Sequence, residues 1–261
     1  MMAMPFTVVD AFTDRPFAGN PAAVMLLGEW PDDALLQSIA LEHNLSETAF
    51  AVPMAGEADY ELRWFTPTTE VAMCGHATLA SGHVLLGDRD AVRFATRKAG
   101  VLIVRRDGDG YTLDLPVTHV APVADAALLA ALGCEGEVFA SVSGTEATSI
   151  VLLPDAAAVR ACAPDMAALS ACEVMAIVTA PGDAADIVSR AFVPAWGVDE
   201  DPVTGSAHAA LAPFWVERLG RDRFTAYQAS ARGGHLTCTL AGDRAVLGGQ
   251  CVTVMRGELL L

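Results

Sequence analysis

"EVAMCGHATLASGHVLLG", residues Glu70 to Gly87, sets a thiol, a glycine and an imidazole ahead of a segment that is apolar on nearly every side. "DEDPVTGSAHAALAPFWVERLG", Asp199 to Gly220, repeats the arrangement later in the chain. Gly75 and Gly205 stand 205 − 75 = 130 positions apart, almost half of the 261 residues. Each stretch reads as a turn, a small-residue helix and a terminating glycine, the trace that a duplicated domain leaves behind. Both helices carry little charge before their ends, so each is expected to be wrapped by strands over most of its perimeter. Pro213 is expected to kink the second helix or restart it about two turns in.

The segments around the first helix read as strands. "FTVVDAF" and "AAVMLL" flank the turn signal Gly19-Asn20-Pro21, and "TAFAVP", "YELRWF", "VRFAT", "GVLIV" and "YTLDLP" follow, the last three as an antiparallel set. "DDALLQSIALEHN" has apolar residues at helical spacing, acids in its first turn and Pro31 just ahead. The second half echoes this order with a short helix "DAALLAALG" and strands "TSIVLLP", "VMAIVTA" and "ADIVSRAFVP". "RFTAYQA", "HLTCTL" and "QCVTVMRGELLL" complete it. We therefore expect an α/β (α+β) protein of two lobes, residues 1–117 and 118–244, with a last strand at about 245–261 returning to the first lobe.

Composition narrows the function. A chain 53 % hydrophobic with mean hydropathy +0.39 is a folded globule rather than a disordered one. No apolar run reaches the roughly 18 residues of a membrane span. "MMAMPFTVVD" lacks the basic flank and apolar stretch of a signal peptide, so a cytoplasmic protein is expected. Sixteen Lys and Arg against 32 Asp and Glu give a net charge of −16, which opposes nucleic acid and anionic membranes as partners. A small anionic substrate at a local site remains compatible with that charge. Cys74, Cys134, Cys162, Cys172, Cys238 and Cys251 are scattered without CxxC or Cys/His pair spacing, so free thiols and no metal are expected.

The helix mouths carry the chemistry. A helix start exposes unpaired N–H groups at the positive end of the macrodipole, and glycine there lets a carboxylate approach the backbone. Two such mouths facing each other would cradle an anion. Cys74 sits at the first mouth, where the N–H groups are expected to favour its thiolate and make it a usable base or nucleophile; otherwise it is a small filler of a tight turn. His76 is either a substrate contact or an imidazole at the helix N-terminus, and His83, seven residues on, is expected in the core without a role. At the second mouth Asp199, Glu200 and Asp201 precede the helix, where acids are stabilising anyway. Asp201 stands ahead of Pro202 in a turn and is a candidate to orient a catalytic group. Ser206 suits either a helix cap or a ligand hydrogen bond. Glu47 in "HNLSETAF" has apolar neighbours, and burial there would raise its pKa toward neutrality, as suits a group that takes and gives a proton.

Four segments, "VDAFTDRPFAGNPAAV" (Val9–Val24), "NLSETAF" (Asn44–Phe50), "FTPTTEVAMCGHATLA" (Phe65–Ala80) and "DEDPVTGSAHAA" (Asp199–Ala210), appear in family order over essentially the whole chain. They resemble the PhzF-like isomerases of the diaminopimelate epimerase superfamily. The resemblance implies two pseudo-symmetric lobes, each a curved, mostly antiparallel sheet around a central helix, with the active site between them and homodimers as the usual assembly. It also implies cofactor-free proton shuttling in a small carboxylic acid. Glu47 would be the acid/base, His76, Asp201 and Ser206 would surround the substrate, and the backbone at Gly75–His76 and Gly205–Ser206 would hold its carboxylate.

Racemases of the wider superfamily use two cysteines, one at each mouth. "MCGHATLA" supplies the first, whereas "DEDPVTGSA" supplies none and places Asp201 near where the second would be. The expected function is thus a Glu47-driven isomerase. The alternatives are an amino-acid or hydroxy-acid epimerase using Cys74 with Glu47 or Asp201, and a non-enzymatic small-acid-binding dimer. A Cys–His hydrolase is disfavoured, because adjacency of Cys74 and His76 along the chain does not provide nucleophile–base geometry.

Overall fold

The computed structural model describes residues 3–144 and 146–261, and the chain divides into two compact units. Unit 1 comprises the residues up to Asp114 together with Gly248–Leu261, and unit 2 is Leu115–Leu247. The first run of elements is β1 (Ala3–Ala11), β2 (Asn20–Leu26), α1 (Asp33–His43), β3 (Glu47–Pro53), β4 (Tyr60–Phe65), β5 (Glu70–Val71), α2 (Gly75–Leu85), β6 (Ala91–Thr96), β7 (Val101–Asp107) and β8 (Gly110–Pro116). The second is β9 (Val120–Val123), α3 (Ala126–Leu132), β10 (Glu137–Ser141), β11 (Thr148–Leu152), α4 (Ala156–Ala161), α5 (Met166–Ser170), β12 (Met175–Pro181), β13 (Ile187–Val193), β14 (Val198–Asp201), α6 (Gly205–Leu219), β15 (Arg223–Gln228), β16 (Gly234–Ala241) and β17 (Arg244–Gly249). β18 (Cys251–Leu260) then pairs antiparallel with β1 and belongs to unit 1.

The two units repeat one connectivity. In unit 1, β1–β2 is antiparallel, β2–β3 parallel and β3–β4 antiparallel; β4 then pairs antiparallel with the short β5 and parallel with β6, and β6–β7 is antiparallel. Unit 2 runs through the same sequence: β10–β11 antiparallel, β11–β12 parallel, β12–β13 antiparallel, β13 with the short β14 antiparallel and with β15 parallel, and β15–β16 antiparallel. The helix that follows the short strand is α2 in one unit and α6 in the other. The glycine-headed helices singled out in the sequence are therefore equivalent elements of a duplicated fold, and the antiparallel set β6–β7–β8 is as expected.

α2 is the central helix of unit 1 and touches β1, β2, β3, β7 and β18. Nine of its 11 residues are buried, so it has no solvated face. Small side chains make this possible: a Cβ at Gly82 would lie 2.7 Å from the Val104 Cβ of β7 and overlap its methyls. The buried hydroxyls are satisfied within the helix, Thr78 Oγ1 donating to the Cys74 carbonyl at 2.5 Å and Ser81 Oγ to the Ala77 carbonyl at 2.7 Å. His83 is half-buried rather than deep in the core, because its ring nitrogens meet Tyr111 Oη at 3.1 Å and Thr253 Oγ1 at 2.9 Å. α1 begins at Asp32, which accepts from the Leu35 N–H at 2.7 Å, and ends at Asn44 in the left-handed region. Its Leu36, Ile39 and Ala40 pack on Met25, Phe50 and Phe65. In unit 2, α3, α4 and α5 supply Leu128, Leu132, Val159 and Leu169 to a core with Val151, Val178 and Phe192.

Pro213 does not restart α6, which continues as one helix from Gly205 to Leu219. A proline removes the N–H that would bond the carbonyl four residues earlier, here that of Ala209. The Ala209 carbonyl accepts from the Thr118 N–H at 3.3 Å instead, so the freed acceptor is satisfied from outside the helix. No helix among the described residues is long and apolar enough to cross a membrane.

Candidate active site

The parallel pair β2–β3 starts both strands at the same end of unit 1, with Ala22 in register with Glu47. Asn20 opens β2, Glu47 opens β3, and the N-terminus of α2 brings Cys74 and His76 to the same place. His76, the second residue of α2, is 2 % exposed and Asn20 is fully buried. Glu47 Oε2 lies 3.0 Å from His76 Nε2, and the glutamate side chain is 15 % exposed. The two atoms approach outside hydrogen-bond alignment, and neither has a hydrogen-bond partner among the described residues. The other nitrogen, Nδ1, meets the Asn20 amide nitrogen at 3.0 Å and the Cys74 sulfur at 3.5 Å.

This order of groups governs their protonation. Burial pushes the Cys74 thiol up to about 11 and the Glu47 charge adds to that, against the smaller pull of His76. The expectation of a thiolate favoured by the helix mouth is therefore overturned: Cys74 is the N-cap of α2, but it is buried next to a carboxylate and its side chain makes no capping hydrogen bond. Burial opposes a charge on His76, while the Glu47 carboxylate beside it favours one, and its pKa is held above the ordinary imidazole range.

Cys74, His76 and Glu47 offer donor atoms that all lie within 4.8 Å of one another. As a metal cage the set is poorly arranged, since the imidazole turns one nitrogen to the sulfur and the other to the carboxylate. As a two-sided base pair it is too tight. Groups that exchange protons with opposite faces of one carbon each need about 3 Å of reach, roughly 6 Å in all.

The mouth of α6 in unit 2 is built differently. Its N-cap is Thr204, the position equivalent to Cys74, since 74 + 130 = 204. Asp201 ends β14, three residues earlier, and accepts from Thr204 Oγ1 at 2.5 Å; it is therefore the partner of the residue standing where a second thiol would be. Gln228 of β15, fully buried, accepts from the Thr204 N–H at 2.8 Å and donates to the Asp201 carbonyl at 2.7 Å. Glu200 is taken by Arg190 through two hydrogen bonds of 2.7 and 2.8 Å, and Asp199 is exposed. Gly205 is the buried first residue of α6, as Gly75 is of α2. Ser206 is not a cap, because it lies inside the first turn; its hydroxyl contacts the Met175 sulfur at 3.8 Å. Met175 opens β12 as Glu47 opens β3, so the acid–imidazole pair of unit 1 has become a thioether–hydroxyl pair in unit 2.

Glu47, Cys74, Gly75 and His76 thus converge in unit 1, and Asp201, Gly205 and Ser206 share one segment of unit 2. Asn20, Thr204 and Gln228 were not singled out in the sequence. Asn20 lies within a turn signal, and nothing in its spacing from His76 announces the contact.

Two copies of one strand–helix connectivity, each around a glycine-headed helix, define the epimerase-like class of α/β proteins, and the fold is shared with a hydroxyproline epimerase from Agrobacterium vitis (TM-score 0.66, 15 % identity, 98 % of this chain and 92 % of that one covered). Within that class the phenazine biosynthesis-like protein family matches residues 9–257, and the chain belongs to that family. A curated relative from Pseudomonas aeruginosa, named an uncharacterized isomerase, is 48 % identical over the full length of both chains. The crystal structure of a PhzF-family phenazine biosynthesis protein from Enterococcus faecalis superimposes with a TM-score of 0.89 at 41 % identity, again over all of both chains.

Proposed function

We propose that the protein is an isomerase that moves a proton within a small carboxylic acid, with Glu47 as the shuttle. The observation that carries this reading is the Glu47–His76 contact at the head of α2: a partly exposed carboxylate held 3.0 Å from a buried imidazole whose other nitrogen is already engaged. Glu47 takes a proton from a substrate carbon and returns it elsewhere on the same skeleton. His76, with Nε2 beside the carboxylate, balances its charge. The N–H groups that open α2 at Gly75 and His76, at the positive end of the helix, receive the substrate's own carboxylate. Relatives named as isomerases support the reaction class. Asp201, Gly205 and Ser206 are assigned to substrate binding by the family resemblance.

An epimerase that sets Cys74 against Glu47 is less well supported, because both groups flank one imidazole and the thiol is held protonated. Six free cysteines suit a reducing, cytoplasmic compartment, and the family resemblance supports a homodimer.

The test is a solvent-deuterium exchange screen over small carboxylic acids. The wild-type protein is expected to label at least one acid, and Glu47→Gln to slow that labelling by about 10²–10⁴-fold, the usual contribution of a positioned acid/base. Labelling that survives Glu47→Gln at full rate would overturn the assignment.

A further inference from the structure

Asn20, the first residue of β2, is fixed by the loop that precedes it. The preceding Gly19 has φ +64°, and a Cβ there would overlap the Ala11 carbonyl oxygen and crowd Thr13, so no larger residue fits that backbone. Asp10, 2 % exposed, accepts from the Phe17 N–H at 2.8 Å and ties the loop to β1. Asn20 itself pairs with Ala11 across the β1–β2 ladder. This scaffolding sets the Asn20 amide nitrogen against His76 Nδ1 at 3.0 Å, between two buried side chains.

We infer that Asn20 is a positioning residue that decides which ring nitrogen of His76 carries the proton. An amide N–H donates, so the nitrogen it faces must be bare. With Nδ1 accepting from Asn20, the neutral ring holds its single hydrogen on Nε2, the nitrogen that faces Glu47. Cys74, a protonated thiol at 3.5 Å, is a second and weaker donor to the same Nδ1 and reinforces the choice. The cationic ring has a hydrogen on both nitrogens, and the Asn20 amide accommodates it by turning over to present its oxygen. The residue therefore holds Nε2–H on the Glu47 side in one state and accepts from Nδ1–H in the other. A carboxylate at this position could do only the second. Its catalytic meaning rests on Glu47 being the shuttle; its structural meaning does not.

The test uses protein labelled with [15N]histidine and long-range 1H–15N correlations, which report the tautomer of each ring directly. Six histidines are resolved by comparison with His76→Gln. Among the described residues, the titratable groups facing the ring are Glu47 and Cys74, so the titration is read in wild type, Asn20→Asp and Asn20→Ala. Wild-type His76 is expected to show the Nε2–H tautomer when neutral. Asn20→Asp, nearly isosteric, should place the hydrogen on Nδ1 and raise the pKa of His76 by about one unit or more, as a neighbouring carboxylate does. Asn20→Ala, whose folding is checked by thermal unfolding, should leave the tautomers mixed. The same tautomer and an unchanged titration in all three proteins would overturn the proposal. If the tautomers respond as expected but no acid is labelled in the deuterium screen, the positioning role stands and the proposed function falls.

Discussion

Cys74 and Glu47 flank the two different nitrogens of one imidazole, Cys74 Sγ 3.5 Å from Nδ1 of His76 and Glu47 Oε2 3.0 Å from Nε2. The thiol and the carboxylate are thereby parts of one chain of groups rather than opponents across a substrate. What each does follows from its place in that chain: Glu47 retains access to solvent, and Cys74 is buried at the Nδ1 edge of the ring.

The first prediction concerns that buried thiol. At about 11 rather than 9.0, Cys74 carries about a hundredth of the thiolate of an ordinary cysteine at neutral pH. Iodoacetamide at pH 8, read by peptide mass spectrometry, should label Cys74 at least ~100-fold more slowly than a free thiol. Rapid labelling of Cys74 in the folded protein would show that the mouth of α2 does favour the thiolate.

His208 supplies a pH-dependent stability. It is fully buried, donates Nδ1–H to the Thr204 carbonyl at 2.8 Å, and burial lowers its pKa to about 4. The unfolded chain takes up this proton near the ordinary value of 6.5, while the folded protein resists it down to about 4. Stability from the neutral ring is thus complete above 6.5 and is lost as the pH falls from there toward 4, about 2 kcal/mol of it by pH 5. Urea unfolding at pH 7.5 and pH 5 should show His208→Gln losing about 2 kcal/mol less than wild type over that interval.

Gly82 tests how tightly α2 is enclosed. In a solvated helix Gly→Ala gains about 1 kcal/mol from backbone propensity. Here the added methyl meets Val104, and we expect Gly82→Ala to destabilise unit 1 by about 1–3 kcal/mol, the ordinary cost of overpacking. The double variant with Val104→Ala should recover part of that loss, measured as a coupling energy by chemical denaturation. A stabilised Gly82→Ala would mean that the sheet does not close on the helix at this point.

Much of the fold is legible in the sequence because its signals are local. A continuous apolar run marks β3, alternating apolar residues mark β4 and β6 to β8, Asp32 and Asn44 bracket α1, and the repeated glycine-headed helices announce the duplication. β5 and β14, of two and four residues, are too short to carry a period, yet in each unit they make the spur that leads into the central helix. The site is less legible. Glu47 and His76 meet because a parallel strand register brings the start of β3 to the head of α2, and no spacing along the chain encodes that. The acidity of Cys74 is not legible for a related reason: a helix N-terminus favours an anion, but full burial beside a carboxylate outweighs it. At Pro213 the rescuing donor, Thr118, comes from a distant segment.

The pairing of β1 with β18 has a bearing on how the molecule is made. As the chain leaves the ribosome, Ala11 precedes its partner Cys251 by 251 − 11 = 240 residues, with all of unit 2 translated in between. Until then one edge of β1 is unpaired beside a nascent β2, the kind of open ladder that invites pairing with a neighbouring chain. The β1 edge therefore stays open through the synthesis of unit 2 and is zipped shut only by the last strand.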